Sequence, residues 1–444
     1  MSSLNVRTPV QRVVNFGGVQ RVVNFGGVAV PKISVESQLT RLTLAHMLWE
    51  DQFYIDGKAN ADLMKSLVAT ANQAFVAQLA REARTRFKLR HVPLLLAREL
   101  ARTGRISAND LNDVIQRPDE MSEFLSIYWK DGKTPLSNQV KKGLGKAFSK
   151  FNEYQLAKWD KNSSAISMRD VMFLTHPKPV DQAQAILFKK VADKALETPD
   201  TWETNLSAGA DKKETFERLM ADKKLGALAF LRNLRNMVQA GISEPTIRAY
   251  AANLDVTKVL PFRYLAAARI VPQFEDMLED MMFKSLATHE KLPGKTVLLV
   301  DVSGSMFGTK VSKKSDLDRF DAAAALAILC REICEEVEIY SFSNRCVRIA
   351  PRRGFALTDA IKNSQPISGT DLRGAMNSIH ANTTYDRCIV FTDEQSQSSV
   401  SAPRGSGYVV NVAAYENGIN NAQWTTISGF SEAIIDYIQL FEKL

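Results

Sequence analysis

Five oxygen-bearing residues in the last third of the chain have the types and spacing to hold a hard cation. The stretch LLVDVSGSM (298–306) ends an apolar run at Asp301 and then presents Ser303 and Ser305 on alternate positions. Thr370 lies in ISGTDLRG, just before a helical pattern, and Asp393 lies in IVFTDEQ, at the tip of another apolar run. In an open parallel sheet, ligands bind outside the carboxyl ends of the strands, so loops from neighbouring strands converge there. Carboxylates and hydroxyls without nitrogen or sulfur donors suit Mg²⁺, which prefers octahedral oxygen and keeps some of its waters. Such a set fills part of the coordination sphere and leaves a position open. The competing reading is that Asp301 caps a turn and the serines satisfy loop backbone. Catalysis has no matching constellation. The five histidines (His46, His91, His176, His289 and His380) form no HxH or HxxxH pair, and no GxxxxGK[ST] phosphate loop occurs. Without a general base or nucleophile beside the oxygens, the expectation is a protein that is not an enzyme.

The elements around these residues follow from periodicity. KTVLLVD, VEIYSFS, RCIVFTDE and YVVNVAAY read as strands. SDLDRFDAAAALAILCREICEE, GTDLRGAMNSIHANT and SGFSEAIIDYIQLFEKL read as the helices between and after them. Alternation of helices with continuous apolar strands predicts a mostly parallel, doubly wound α/β sheet over 294–444. From Ser37 to about Met282 the pattern is almost entirely helical, with breakers such as Pro93, Gly104, Pro118, Pro135, Pro177 and Gly209 at short intervals. That rhythm predicts stacked helix pairs, an α-solenoid, over 37–290. The boundary is placed near His289–Thr296, where a proline and a glycine intervene. Residues 1–36 form an arm with a tandem repeat, QRVVNFGGV at 11–19 and again at 20–28. Two copies are too few for a solenoid, so a duplication in a tolerant arm is expected, with one copy dispensable.

The chain has 444 residues, enough for two or three domains, and no apolar run approaches a membrane span. The start lacks a signal-peptide pattern, so a cytoplasmic protein is expected. Cys330, Cys334, Cys346 and Cys388 are read as buried free thiols rather than a metal or disulfide set. Charge is uneven. Residues 294–444 carry 15 Lys+Arg against 17 Asp+Glu, net −2, while residues 1–293 carry 42 against 32, net +10. A basic helical part joined to a near-neutral part favours a polyanion, nucleic acid first, on the helical part; simple solubility is the bland alternative.

The densest basic stretch holds Lys141, Lys142, Lys146, Lys150, Lys158 and Lys161, with Phe148, Phe151, Tyr154 and Trp159 interleaved. Lysines neutralise phosphates and exposed aromatics stack on unpaired bases. For Phe148 and Phe151 the core face of an amphipathic helix is the favoured reading, and the lysines face either phosphate or water. A second basic patch, REARTRFKLRH (81–91), offers Arg81, Arg84 and Lys88 on one helical face, and Arg98, Arg102 and Arg105 share another. Arg232 and Arg235, among core leucines, read as structural.

The five oxygen residues match the metal-ion-dependent adhesion site of von Willebrand factor A domains, each on the expected element and in the expected order. Residues Val140–Pro179, Leu225–Met237 and Lys258–Arg269 resemble the TROVE module of Ro autoantigen proteins, and TROVE followed by a von Willebrand A domain is the Ro architecture. The chain thus resembles a Ro protein of bacterial or phage type over most of 40–444. That resemblance implies a ring-like α-solenoid of HEAT-type helical repeats closed by the A domain, as a monomer. It implies small non-coding Y-type RNA on a basic outer surface and single-stranded 3′ ends of misfolded RNA in a central hole. It also implies exoribonuclease partners, and an acidic protein ligand at the Mg²⁺ site. On these positions the candidate RNA contacts are Lys141, Lys142, Lys146, Lys150, Lys158, Lys161, Arg169 and His176, with Arg84 and Lys88 from the second patch. The chain departs from the family at its duplicated arm and at HMLWEDQFYIDG (46–57). The alternative reading is a Mg²⁺-dependent protein adaptor without a specific RNA.

Overall fold

The computed structural model describes residues 13–16, 19–23, 29–31, 34–44, 57–160, 165–257, 259, 261–287, 289–308, 310, 317–393, 400–412 and 423–428, with a few positions beyond 433. The segment at 46–56, Lys161, and most of the last predicted helix (428–444) lie outside the described residues. Near the N-terminus, β1 (Val13–Phe16), β2 (Val19–Val23) and β3 (Ala29–Pro31) form an antiparallel sheet in which Val13 of the first nine-residue repeat pairs with Val22 of the second. Chain contacts divide the molecule into two compact units, one built on 34–44 and 58–210, the other including 211–444.

The first unit is helical. Its elements are α1 (Val35–Leu44), α2 (Gly57–Thr70), α3 (Gln73–Thr85), α4 (His91–Arg102), α5 (Ala108–Val114), α6 (Pro118–Tyr128), α7 (Asn138–Phe148), α8 (Glu153–Trp159), α9 (Met168–Thr175), α10 (Gln182–Ala192) and α11 (Trp202–Ser207). Helix starts are written in the sequence. Asn72, Ser107, Ser137, Asn152, Ser167, Asp181 and Thr201 each accept a hydrogen bond from a first-turn N–H, which satisfies donors the helix cannot. Several helices pack on those one and two places along: α3 on α4 and α5, α4 on α6, α5 on α7, α7 on α9. This is the stacking of helix pairs that the breaker rhythm predicts. Gly143 lets α7 lie against α5, because a Cβ there would meet Ala108 O and Leu111 Cβ at 2.9 Å.

The second unit begins with α12 (Lys212–Ala221), α13 (Ala227–Gln239), α14 (Glu244–Ala252), α15 (Phe262–Ile270) and α16 (Glu275–Leu286). It continues as β4 (Leu292–Asp301), α17 (Arg319–Ile333), β5 (Cys334–Phe342), β6 (Cys346–Arg348), α18 (Gly354–Lys362), α19 (Leu372–Asn382), β7 (Arg387–Thr392), β8 (Ser406–Asn411) and β9 (Trp424–Ser428). The sheet order is β6-β5-β4-β7-β8-β9, parallel except for the edge hairpin β5–β6. Val297 and Leu299 face a core with Leu372, Met376 and Ile379 of α19. Leu298 and Val300 point to the other face by the period-two rule, and α17 packs against β4. Cys330, Cys334 and Cys388 are buried free thiols, and Cys346 is half-buried.

Helices 15 and 16 are tied to the α/β part by charge. Arg269 makes a two-pronged ion pair with Asp321 in the first turn of α17. Glu279 of α16 accepts a 2.6 Å hydrogen bond from the N–H of Phe355, at the start of α18. A carboxylate at a helix N-terminus satisfies an orphan donor and the dipole together. Gly354 makes this approach feasible: its φ is +54°, and a Cβ would collide with the Glu279 carboxylate. Gly354→Ala should therefore lower stability by ~2 kcal/mol or more, combining left-handed strain with the clash. A melting temperature equal to that of the wild type, read by circular dichroism, would refute this account of the junction.

Candidate functional site

Asp301 is the last residue of β4, the central strand from which the chain turns to β5 on one side and β7 on the other. It is fully buried. Its Oδ1 accepts from the Ser303 N–H at 2.8 Å and its Oδ2 from the Thr392 hydroxyl at 2.6 Å. Ser303, just before a short turn at Gly304–Met306, and Ser305 within that turn hold their hydroxyls 3.3 Å apart. Gly304 N donates to Ser368 O at 3.1 Å, which brings the loop preceding α19 alongside. Thr370 follows in that loop, half-buried, and its neighbour Asp371 caps α19 through the Gly374 N–H.

Asp393 completes the cluster from the tip of β7. It is fully buried; Oδ2 accepts from Arg319 Nη1 at 3.0 Å, while Oδ1 has no hydrogen-bond partner. The same Arg319 nitrogen donates to Ser305 O at 3.3 Å. Burial pushes the Asp301 carboxyl up to about 6 despite hydrogen bonds from Thr392 and Ser303, and the charge of Asp393 adds to the push. Two carboxylates in a dry site resist carrying their charge together, and a cation between them relieves that conflict.

The donor set fits a hard divalent ion. All its groups are oxygen, and the unpartnered buried Oδ1 of Asp393 is the kind of atom that a bound cation satisfies. Only two of the five residues are carboxylates, and among the described residues no three His, Cys, Asp or Glu side chains converge as a metal site. Any ion here would rest largely on hydroxyls. Periodicity and spacing left two members of this cluster unseen, Arg319 and Thr392. Arg319 did leave a signal: a cation in the first turn of a helix opposes the dipole, so it needs a tertiary anion.

In the helical unit the basic candidates separate into two groups. The second patch is turned to structural use. Arg81 pairs with Asp110, and Arg84 donates to the buried Glu120 at 2.6 Å. Buried Arg98 pairs with Glu99 and Asp131, and Arg102 donates to Thr134. Arg105 reaches the C-terminal carbonyls of α2 at Val68 and Ala71. Arg84 is thus committed to an acid inside the stack, and Lys88 folds back on the carbonyl of Thr85 in a left-handed conformation, φ 55°.

The first patch is divided. Lys150 donates to Asn112 O and Ile115 O at the end of α5, and burial lowers its pKa against the opposing pull of Asp113 and Glu120. Arg169 likewise donates to Ala192 O at the end of α10. Lysine and arginine at these ends satisfy the last carbonyls and the helix dipole. Lys146 donates to Asn109 Oδ1 at 2.8 Å while remaining exposed, and Lys142 is exposed. Lys158 sits 5.8 Å from the Tyr154 ring centre and 6.0 Å from that of Trp159, which Arg117 also covers. Phe148 and Phe151 are buried, Tyr154 is 46% exposed.

Lys141 and His176 come together. They line one open pocket of about 540 Å³ with Trp129, Lys133, Thr134, Pro135, Leu136, Phe173 and Leu174. Phe173 is 50% exposed, Lys133 lies 5.5 Å from the Trp129 ring centre, and Arg169 lies 5.0 Å from that of Phe173. His176 is exposed and holds the left-handed cap of α9, φ 48°, a position where glycine would be cheaper. Aromatic faces beside cations form a surface that can stack bases and balance phosphate.

A family model described as "TROVE domain" matches residues 193–314, and one described as "Ro60 vWA domain" matches residues 295–406. Among solved structures, the chain is similar to the RO (RSR) protein of Deinococcus radiodurans, with a TM-score of 0.67 and 19% identity over 92% of this chain and 99% of that one. At that identity the likeness is one of fold. Telomerase protein component 1 of Mus musculus is 34% identical over 89 residues, which is 19% of this chain and 3% of that protein. The chain spans only that small part of its relative's length.

The inward arginines and the outward lysines should part company in denaturation. Arg98→Ala, which leaves Glu99 buried and unpaired, should cost about 3–5 kcal/mol, whereas Lys142→Ala should stay within ~0.5 kcal/mol. Urea unfolding that ranks the two equally would contradict this division.

Proposed function

We propose that the chain, which matches a TROVE domain model followed by a Ro60 vWA domain model, is a Ro-type RNA-binding scaffold rather than an enzyme. The family is known for RNA binding. The observation that carries the reading in this chain is the pocket where Lys141, Lys133 and His176 meet Phe173 and Trp129. Unpaired bases stack on the aromatic faces, and the cations take the phosphates between them. The ligand that suits such a surface is a single-stranded segment, such as the 3′ end of a misfolded RNA. Lys142 and Lys146, exposed on α7, extend the basic face for the backbone of a structured small RNA of Y type. An exoribonuclease that receives the held 3′ end is the partner consistent with this role, in the cytoplasm.

The α/β domain contributes separately. Asp301, Ser303, Ser305, Thr370 and Asp393 would hold Mg²⁺ or another divalent cation, and the ion would offer an open position to an acidic group of a protein ligand. The unpartnered oxygen of Asp393 supports this reading. The protein's own part is to bind and orient: Thr392 and the Ser303 N–H fix the Asp301 carboxylate, and Gly304 anchors the loop that carries Thr370.

Affinity that rests on phosphate contacts falls with salt. For a fluorescent single-stranded oligoribonucleotide, log K should fall linearly with log[salt], and each of Lys141→Ala and Lys142→Ala should flatten the slope by about 0.7. Phe173→Ala should weaken binding by about 1–3 kcal/mol without changing the slope. Binding indifferent to salt and to these three substitutions would end the RNA reading of this surface.

The metal is tested on its own. Mg²⁺ at a hundredfold excess over its dissociation constant should stabilise the wild type by about 2.7 kcal/mol in thermal unfolding, and Asp301→Asn should abolish the effect. An equal Mg²⁺ shift in both proteins would assign the ion elsewhere.

A further inference from the structure

Arg319 stands out as a buried cation inside a cluster whose chemistry asks for one. Its residue is 3% exposed. One guanidinium nitrogen donates both to Asp393 Oδ2 and to Ser305 O, so it touches two of the five oxygen residues at once. It leaves the second oxygen of Asp393 buried and unpartnered. It does this from the first position of α17, where a positive charge is disfavoured by the helix dipole. The surrounding turn holds it there. Asp318 and Asp321 close a reciprocal capping box, and Asp321 is gripped by Arg269 of α15.

We infer that Arg319 is the resident counter-cation of the strand-tip site, a positioning residue that weakens the site's hold on a divalent ion and makes the loaded site selective for anionic ligands. This rests on the metal reading above. Counted by formal charge, the two carboxylates of Asp301 and Asp393 and the one guanidinium of Arg319 give the set one net negative charge. A divalent ion turns that into one net positive charge, which attracts an acidic group. Without Arg319 the loaded site would be neutral and the empty site doubly negative. Removing the guanidinium should strengthen metal binding and weaken capture of an anion. In a dry site the charges act through a low effective dielectric, so both effects should be large. A purely structural arginine would move neither in this opposed way.

The experiment uses the full chain at pH 7.5 with Mn²⁺ alone, titrated by electron paramagnetic resonance, and then oligo-glutamate added to the Mn²⁺-loaded protein. Arg319→Met should bind Mn²⁺ about tenfold more tightly or better, and oligo-glutamate about tenfold more weakly, than the wild type. Arg319→Lys keeps the charge and should return both values to within a few-fold of wild type; Arg319→Gln, which keeps hydrogen-bonding capacity without the charge, should shift both values as methionine does and carries the test if the methionine variant does not fold. Wild-type Mn²⁺ binding that persists in Asp301→Asn, or no wild-type binding at all, would remove the metal reading itself. Asp301-dependent binding that Arg319→Met leaves unchanged or weaker would overturn the counter-cation role while leaving the metal site standing. Oligo-glutamate that fails to bind the loaded wild type, or binds both proteins alike, would overturn the anion selectivity.

Discussion

Two carboxylates without solvent, Asp301 and Asp393, set the terms for the α/β domain. A buried charge is costly unless it is hydrogen-bonded and paired. Each local feature of the strand edge answers that cost. Thr392 and the Ser303 N–H serve Asp301, Arg319 serves half of Asp393, and the remaining oxygen is left unanswered within the protein. The β4 register fixes where this happens, because parallel pairing on both sides brings Asp301 level with Phe342 of β5 and places the end of β7 beside it. A slip of one residue would turn Asp301 to the other face of the sheet.

The same electrostatic demand reaches outward through the first turn of α17. Arg319 faces the site from that turn, and Asp321, two residues on, receives Arg269 from the helices before the sheet. Glu279 repeats the device at the start of α18. One ion pair and one carboxylate–amide contact thus add directional constraints to the apolar packing of helices 15 and 16 on the α/β core, since a bidentate guanidinium–carboxylate contact tolerates little rotation.

In the helical unit, basic residues have two uses that composition cannot tell apart. Arg105, Lys150 and Arg169 satisfy carbonyls at the ends of neighbouring helices, while Arg81, Arg84 and Arg98 answer acids in the stack. A solenoid of short helices has many C-terminal carbonyls to satisfy, and long cationic side chains reach them from the next helix. Part of the net positive charge of the first 293 residues is therefore scaffold. Among the outward cations are Lys142 and Lys146 on α7, and Lys141 and Lys133 line the pocket around His176.

The sequence by itself determined the classes of structure. Helical periodicity with Ser, Thr, Asn and Asp caps specified the stacked helices, and continuous apolar strands alternating with helices specified the parallel sheet. Both are local signals, repeated often enough to be read without neighbours. It also set Asp301, Ser303 and Ser305 side by side, because Asp-x-Ser-x-Ser directly after a buried strand is local too. Tertiary structure alone decided which cations are free. Arg84 and Lys142 look alike in sequence, yet one meets Glu120 from a helix 36 residues away and the other meets solvent. It alone decided that Arg319 turns inward, since its partner Asp393 lies 74 residues further along the chain. Partners so distant leave no periodic trace, because side-chain pairing across a fold depends on where the backbone brings two atoms within about 3 Å, and no single segment encodes that distance.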